Sequence, residues 1–220
     1  HGSWHTPFVV TGALAVVASV AARFLLPPLR QHLEGGVREP LLLGVRHLVT
    51  KPTILASYAM TATTMMSVFI VVPNIAAYVQ TNLGYPREQL EWLYLAGGVT
   101  SFLTLRPIGR LVDRVGAFRV GTFGTVCFAA VLYAGFARED LDLPVLALFV
   151  FFFLFSGFRN VAYQTLTTKV PEPHERARFM SFQSTVQHMA AALGAFLSSQ
   201  ILTESADGRL VGMPTLAWIS

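Results

Sequence analysis

The chain is short of charge. Only 13% of its residues are Asp, Glu, Lys or Arg, roughly half the ~25% of an ordinary soluble domain, while 53% are hydrophobic. A soluble domain of 220 residues can bury a core, but it also needs a charged surface that this composition does not supply. Cysteine is nearly missing. Cys127 stands alone inside an apolar run, which excludes an internal disulfide and a cysteine-based metal site and leaves it the role of a small apolar filler. Acids are missing from the centre of every apolar run, and there is no His-x-x-x-His pair within a run, no Gly-x-Ser-x-Gly string and no acid dyad. A membrane-embedded enzyme would cluster such groups, so an enzyme or receptor is the weaker expectation, and no metal and no cofactor is expected. No repeated filter-like segment suggests a channel. The net charge of +4 does not imply nucleic acid, because no basic helix face is interleaved with exposed aromatics.

What is present is a rhythm. Six apolar stretches, at about Phe8–Leu26, Ile54–Val79, Leu90–Leu111, Val120–Phe136, Val145–Thr167 and Phe179–Ile201, are each near the ~20 residues that an α-helix needs to cross a bilayer. The first gap carries Arg30, Arg38, Arg46 and Lys51, the third Arg110, Arg114 and Arg119, and the fifth Lys169, Arg176 and Arg178. The even gaps hold only Arg87, Arg138 and Arg209, among seven acids. Basic residues in short loops stay on the cytoplasmic side, so odd gaps are predicted inside and even gaps outside. The fold class expected is all-α, a polytopic transmembrane bundle of about six spans in the cytoplasmic membrane. The first span is no signal peptide: nothing basic precedes it and no small-residue cleavage site follows.

The third gap reads Gly109-Arg110-Leu111-Val112-Asp113-Arg114-Val115-Gly116. This resembles the loop signature of the major facilitator superfamily, Gly-x-Leu-x-Asp-Arg-x-Gly, with Gly109, Leu111, Asp113, Arg114 and Gly116 all in place. Ala117-Phe118 replace the usual following basic pair. Glycine allows the sharp reversal a short loop needs, and Asp113 is expected just before the next helix, accepting its amide hydrogen bonds or pairing with an arginine elsewhere. Val170–Arg178 looks like the inner loop before the penultimate helix of these carriers. Val71–Tyr78 is reminiscent of bacterial drug and sugar efflux members.

The resemblance implies a carboxy-terminal half: helices six to eleven and the start of twelve. Residues 1–30 would end the amino-terminal bundle, 31–52 would be a cytoplasmic linker between bundles, and 53–220 the carboxy-terminal bundle, cut within its last helix. The opening His1-Gly2-Ser3-Trp4 and the closing Gly212–Ser220, which reads as the first turns of a seventh span, fit that expectation. The linker holds Pro27-Pro28, Gly35-Gly36 and Pro40, and Arg38–Val49 has the pattern of a short amphipathic surface helix. Two trios of spans, the second inverted, are a common transporter plan. The partners expected are a small-molecule substrate, the lipid bilayer and the absent amino-terminal bundle.

Polar groups retained in a span tend to face a cavity or a neighbouring helix. The candidates are Thr64, Ser67 and Asn74, with Tyr78 on the same face and Pro73 to bend the helix, then Arg159, Asn160, Tyr163 and Gln164, then Gln183, Gln187 and His188. Arg159 precedes Lys169 by ten residues, about 15 Å at 1.5 Å per residue, too deep to reach the inner surface comfortably. It needs a counter-charge, a cavity or an anion, and both structural and substrate roles stay open. His188 belongs to the residue type that titrates near neutral pH, and a neutral interhelical hydrogen bond is its plainer role. Gly97 and Ser101, and Ala191, Ala195 and Ser199, permit close helix packing. Phe149–Phe155 is expected as lipid-facing bulk. The function expected is secondary transport of a small solute by alternating access, as an efflux permease with proton coupling.

Overall fold

The computed structural model describes residues 5–25, 48, 50–137 and 144–220. The surface helix expected over Arg38–Val49, apart from Leu48, most of the linker, and the acidic gap at 138–143 lie outside the described residues. The chain divides into two units, His1–Gly44 and Val45–Ser220. The first is described by a single helix, α1 (Thr6–Leu25), whose Arg23 lies in the last turn, where a cation meets the negative end of the helix dipole.

The second unit holds α2 (Pro52–Phe69), α3 (Val72–Thr81), α4 (Leu90–Val115), α5 (Ala117–Leu132), α6 (Val145–Thr168), α7 (Arg176–Ile201) and the short α8 (Met213–Ile219). A two-residue antiparallel hairpin, β1 (Thr203–Glu204) with β2 (Leu210–Val211), joins α7 to α8. Proline sets several of these boundaries. Pro52, Pro73 and Pro214 lie in the first turns of α2, α3 and α8, where the missing N–H costs nothing. Pro73 also explains why the second apolar stretch is two helices rather than one bent one. Its ring excludes the carbonyl four residues back, at Phe69, where α2 stops. Gly116, at φ 98°, is both the end of α4 and the start of α5, a reversal in one residue that a side chain would strain.

Among the described residues four helical stretches, Phe8–Leu25, Pro52–Thr81, Ala117–Ala137 and Val145–Thr168, are long and apolar enough to cross a membrane. The other two expected spans, α4 and α7, have the length at 26 residues each, but Glu91, Arg106 and Arg110 in the one and Gln183, Gln187 and His188 in the other dilute their apolar character.

Side-chain contacts give the topology. Tyr94 meets Phe149 and Ile108 lies against Gly157, so α4 and α6 run parallel. Tyr58 stacks on Phe179 and Met66 lies against Gly194, so α2 and α7 also run parallel. Gly121 faces Ala162 and Gly124 faces Phe158, which sets α5 antiparallel to α6. The main apolar core takes one half of the bundle: Val79, Leu93, Phe128, Phe136, Phe152 and Leu216 are among its fully buried members. In the other half the core splits. Leu48, which precedes α2, forms a cluster with Ile54 and Tyr58 of α2 and Phe179 of α7, while Ile108, Val112, Val120 and Ala162 form another on α4, α5 and α6. The phenylalanine run corrects the sequence expectation. Phe149 and Phe152 are buried in the core and only Phe151 is largely exposed, because α6 is wrapped by α4 and α5 and offers lipid little of its circumference.

Candidate functional site

A polar seam lies between α2, α6 and α7. Tyr163 of α6 is buried at its centre and its Oη donates to Thr61 Oγ1 of α2 at 3.2 Å. Gln183 Nε2 of α7 donates to the same Tyr163 oxygen at 2.9 Å, and Thr61 donates in turn to the Ser57 carbonyl at 2.9 Å. Thr61, Tyr163 and Gln183 are 0%, 4% and 5% exposed. Burial without such bonds would cost each group about 1–3 kcal/mol, so the triad fixes which faces of the three helices meet. Gln183 Oε1 and Ser57 Oγ remain without a hydrogen-bond partner beside it.

One helical turn from Tyr163, toward the main core, Arg159 donates to Ser67 Oγ at 3.1 Å and its guanidinium carbon stands 4.5 Å from the centre of the Phe128 ring. Three cavities touch it. One of about 190 Å³ is lined by Thr64, Ser156 and Asn160 beside Arg159. A second, of about 280 Å³, lies over Met60, Thr64 and Tyr163 on α2 and α6 and Gly121, Thr122 and Thr125 on α5. The third, of about 190 Å³, is bounded by Phe128, Tyr133 and Trp218.

The expected site residues therefore separate into groups. Ser67, Arg159, Tyr163 and Gln183 are brought into one bonded seam, and Thr64 and Asn160 line its cavity. Asn74 lies apart, its Nδ2 donating to Ser198 Oγ at 3.0 Å between α3 and α7. Tyr78 is buried against the Phe136 ring, not on a shared polar face, because the break at Ile70–Val71 interrupts the helical register. Asn160, Gln164 and His188 are exposed on this unit and Gln187 is half-buried. Sequence reasoning missed Thr61, Ser156 and Ser198. Ser57 and Thr61, four residues apart and so on one face of α2, were the available signal.

At the end of the bundle where α2 begins, Lys51 Nζ donates to Glu175 Oε1 at 3.0 Å and to Glu172 Oε1 at 3.2 Å. Glu175 is 4% exposed there. Its hydrogen bond, with the nearby charge of Glu172, holds the Lys51 ammonium above its usual 10.5. This pair, also missed from sequence, ties the entry of α2 to the start of α7.

The loop motif departs from expectation in one respect. Asp113 does not precede α5 as a cap; it lies within the last turns of α4, exposed, while Gly116 takes the capping position without a side chain. A single glycine reverses the chain, so no loop residue is left for the acid to occupy. Gly109 is open to a side chain, and Leu111 and Arg114 are exposed beside it.

A family model of the Major Facilitator Superfamily matches residues 57–213. The chain belongs to the Major Facilitator Superfamily. That is a family of membrane transporters, and the match takes in α4 with its loop motif, the polar seam and the hairpin. Neither a curated protein nor a solved structure matches the chain. The superfamily assignment and the apolar helices together make this a multi-pass membrane protein of a transporter family.

Proposed function

We propose that the chain is the carboxy-terminal half of a secondary active transporter, with residues 1–30 closing the amino-terminal bundle, 31–52 linking the bundles and 53–220 forming one wall of the solute pathway. The observation that carries this reading is the exposure of Asn160, Gln164 and His188 within spans. Polar side chains within a span are costly to leave in hydrocarbon, and Asn160 lines the cavity of Thr64, Ser156 and Arg159. An aqueous pathway walled by a second bundle satisfies them. Alternating access then takes the form of one bundle rocking against the other about a midplane site. Efflux with proton exchange in a cytoplasmic membrane is the direction, coupling and location we favour, supported by the resemblance of Val71–Tyr78 to drug and sugar efflux members. His188 is the histidine of these spans that stands open to such a pathway.

The test uses the full-length carrier in membrane vesicles, with Cys127 replaced by Ser. Single cysteines at Asn160, Gln164 and His188 are expected to react with a membrane-impermeant thiol reagent, whereas one at the exposed Phe123, on apolar α5, is not. Failure of all three to react while a loop cysteine does would place them in lipid or protein and remove the pathway. Chemical turnover without solute flux in the same vesicles would replace transport by enzymology.

A further inference from the structure

We infer that the transported solute carries an anionic group, a carboxylate in the simplest case, and that Arg159 receives it; this rests on the transport reading above. Arg159 stands at mid-span, nine residues or ~14 Å of helix from the end of α6, and its guanidinium has five N–H donors. Its bonded partner is one neutral hydroxyl, Ser67, and its stacking partner is one neutral ring, Phe128. None of the described residues lining the three cavities that touch it is acidic. A fixed cation with unspent donors at the edge of open space in a low-dielectric layer is the arrangement an anion completes, since charge buried without a counter-charge costs several kcal/mol per ion. The planar fork suits the two oxygens of a carboxylate.

The rest of the 190 Å³ cavity describes the remainder of the solute. Thr64, Ser156 and Asn160 offer neutral hydrogen-bonding groups next to Arg159, and Met65, Val68 and Phe69 of α2 offer an apolar wall. Such a volume, below the ~300 Å³ of a typical small-molecule site, takes an anionic head and part of an apolar body. A cation finds no acid there to replace its water. Phe128 and Ser67 hold the guanidinium without lining that cavity themselves, so the two groups act as positioning residues for Arg159.

The test is a set of three near-isosteric probes, benzoate, benzamide and benzylammonium, added to the purified full-length carrier. Benzoate alone is expected to raise the thermal midpoint. Arg159→Gln is expected to weaken the benzoate effect at least tenfold, and Arg159→Lys, which keeps the charge but not the fork, to weaken it less. An equal effect from benzamide or benzylammonium, no effect from benzoate, or a benzoate effect that survives Arg159→Gln in a folded variant overturns the assignment. Should Arg159→Gln fail to fold, the ranking of the three probes on the unaltered carrier decides alone. Flux of benzylammonium or of a neutral solute without any response to benzoate would remove the anion and leave transport standing. Absence of flux for every solute would remove the transport reading itself.

Discussion

Gly194 is a point of close approach between α7 and α2, and enlarging it should cost stability that enlarging Gly98 does not. A Cβ built on Gly194 would lie 2.8 Å from the Met66 carbonyl oxygen and 3.2 Å from the Ile70 amide nitrogen, both backbone atoms. A comfortable carbon–oxygen approach is about 3.3–3.6 Å, so the helices must separate by roughly half an ångström. No side chain can rotate away to prevent it. Overpacking of this kind costs about 1–3 kcal/mol, and the better helix propensity of alanine returns up to about 1 kcal/mol. Gly194→Ala is therefore expected to lose about 1–2 kcal/mol. At Gly98, within α4, the added carbon meets nothing within 4 Å, so the same substitution keeps the propensity gain of up to about 1 kcal/mol. The two variants should move in opposite directions. For a unit of this size each kcal/mol corresponds to roughly 2–4 °C in the thermal midpoint, which scanning fluorimetry of the purified carrier resolves. If Gly194→Ala melts no lower than Gly98→Ala, the close packing of α2 on α7 is wrong.

Four further outcomes follow from the same geometry. Tyr163→Phe strips the seam of the oxygen that both Gln183 and Thr61 use and should cost about 1–2 kcal/mol; an unchanged melting curve would mean that water or other groups already satisfy them. Lys51 is held above 10.5 by its bond to Glu175, so its contribution is whole below pH 10.5 and is lost as pH rises through the raised value. Stability measured up an alkaline series should fall there in the native chain, and the fall should shrink in Lys51→Met. Asn82 bonds Leu210 through both its amide nitrogen and its carbonyl oxygen, each at 2.9 Å, in the manner of an added strand. Asn82→Leu should then raise hydrogen exchange at the Leu210 amide at least tenfold; equal exchange would show the hairpin held by other means. Asp113 stands exposed near the negative end of α4, where an acid is mildly unfavourable. Asp113→Asn should leave stability level or raise it by about 0.3–1 kcal/mol while slowing solute flux in vesicles, and a loss of stability equal to the loss of flux would make it a folding residue instead.

The helices were largely legible in the sequence, because their causes are local. Apolar runs, prolines at Pro52 and Pro73 and the glycine at Gly116 act within a few residues of where they stand, and the observed ends of α4 and α6 fall close to those expected. Contacts made across the bundle were less legible. Ser67, Asn74 and Tyr78 share a stripe by helical period, yet their neighbours are Arg159, Ser198 and Phe136, since one broken turn resets the rotation of everything after it. In a membrane bundle apolar character does not separate core from lipid contact, because lipid is as apolar as leucine, so the inward placement of Phe149 and Phe152 was not legible in the sequence. Polarity is the better guide, but it works by exclusion: it says which faces cannot meet hydrocarbon and leaves open whether a helix, a cavity or a solute meets them instead. Tyr163 and Arg159 show the two answers one turn apart on α6. Tyr163 has its hydrogen bonds completed by Thr61 and Gln183, whereas Arg159 has one donor bonded and open space beside the rest. A group already satisfied resists motion, and a group left partly unsatisfied can be satisfied by what moves past it. The seam therefore joins a fixed point to a waiting one, which is the pairing a transport site needs between its scaffold and its cargo.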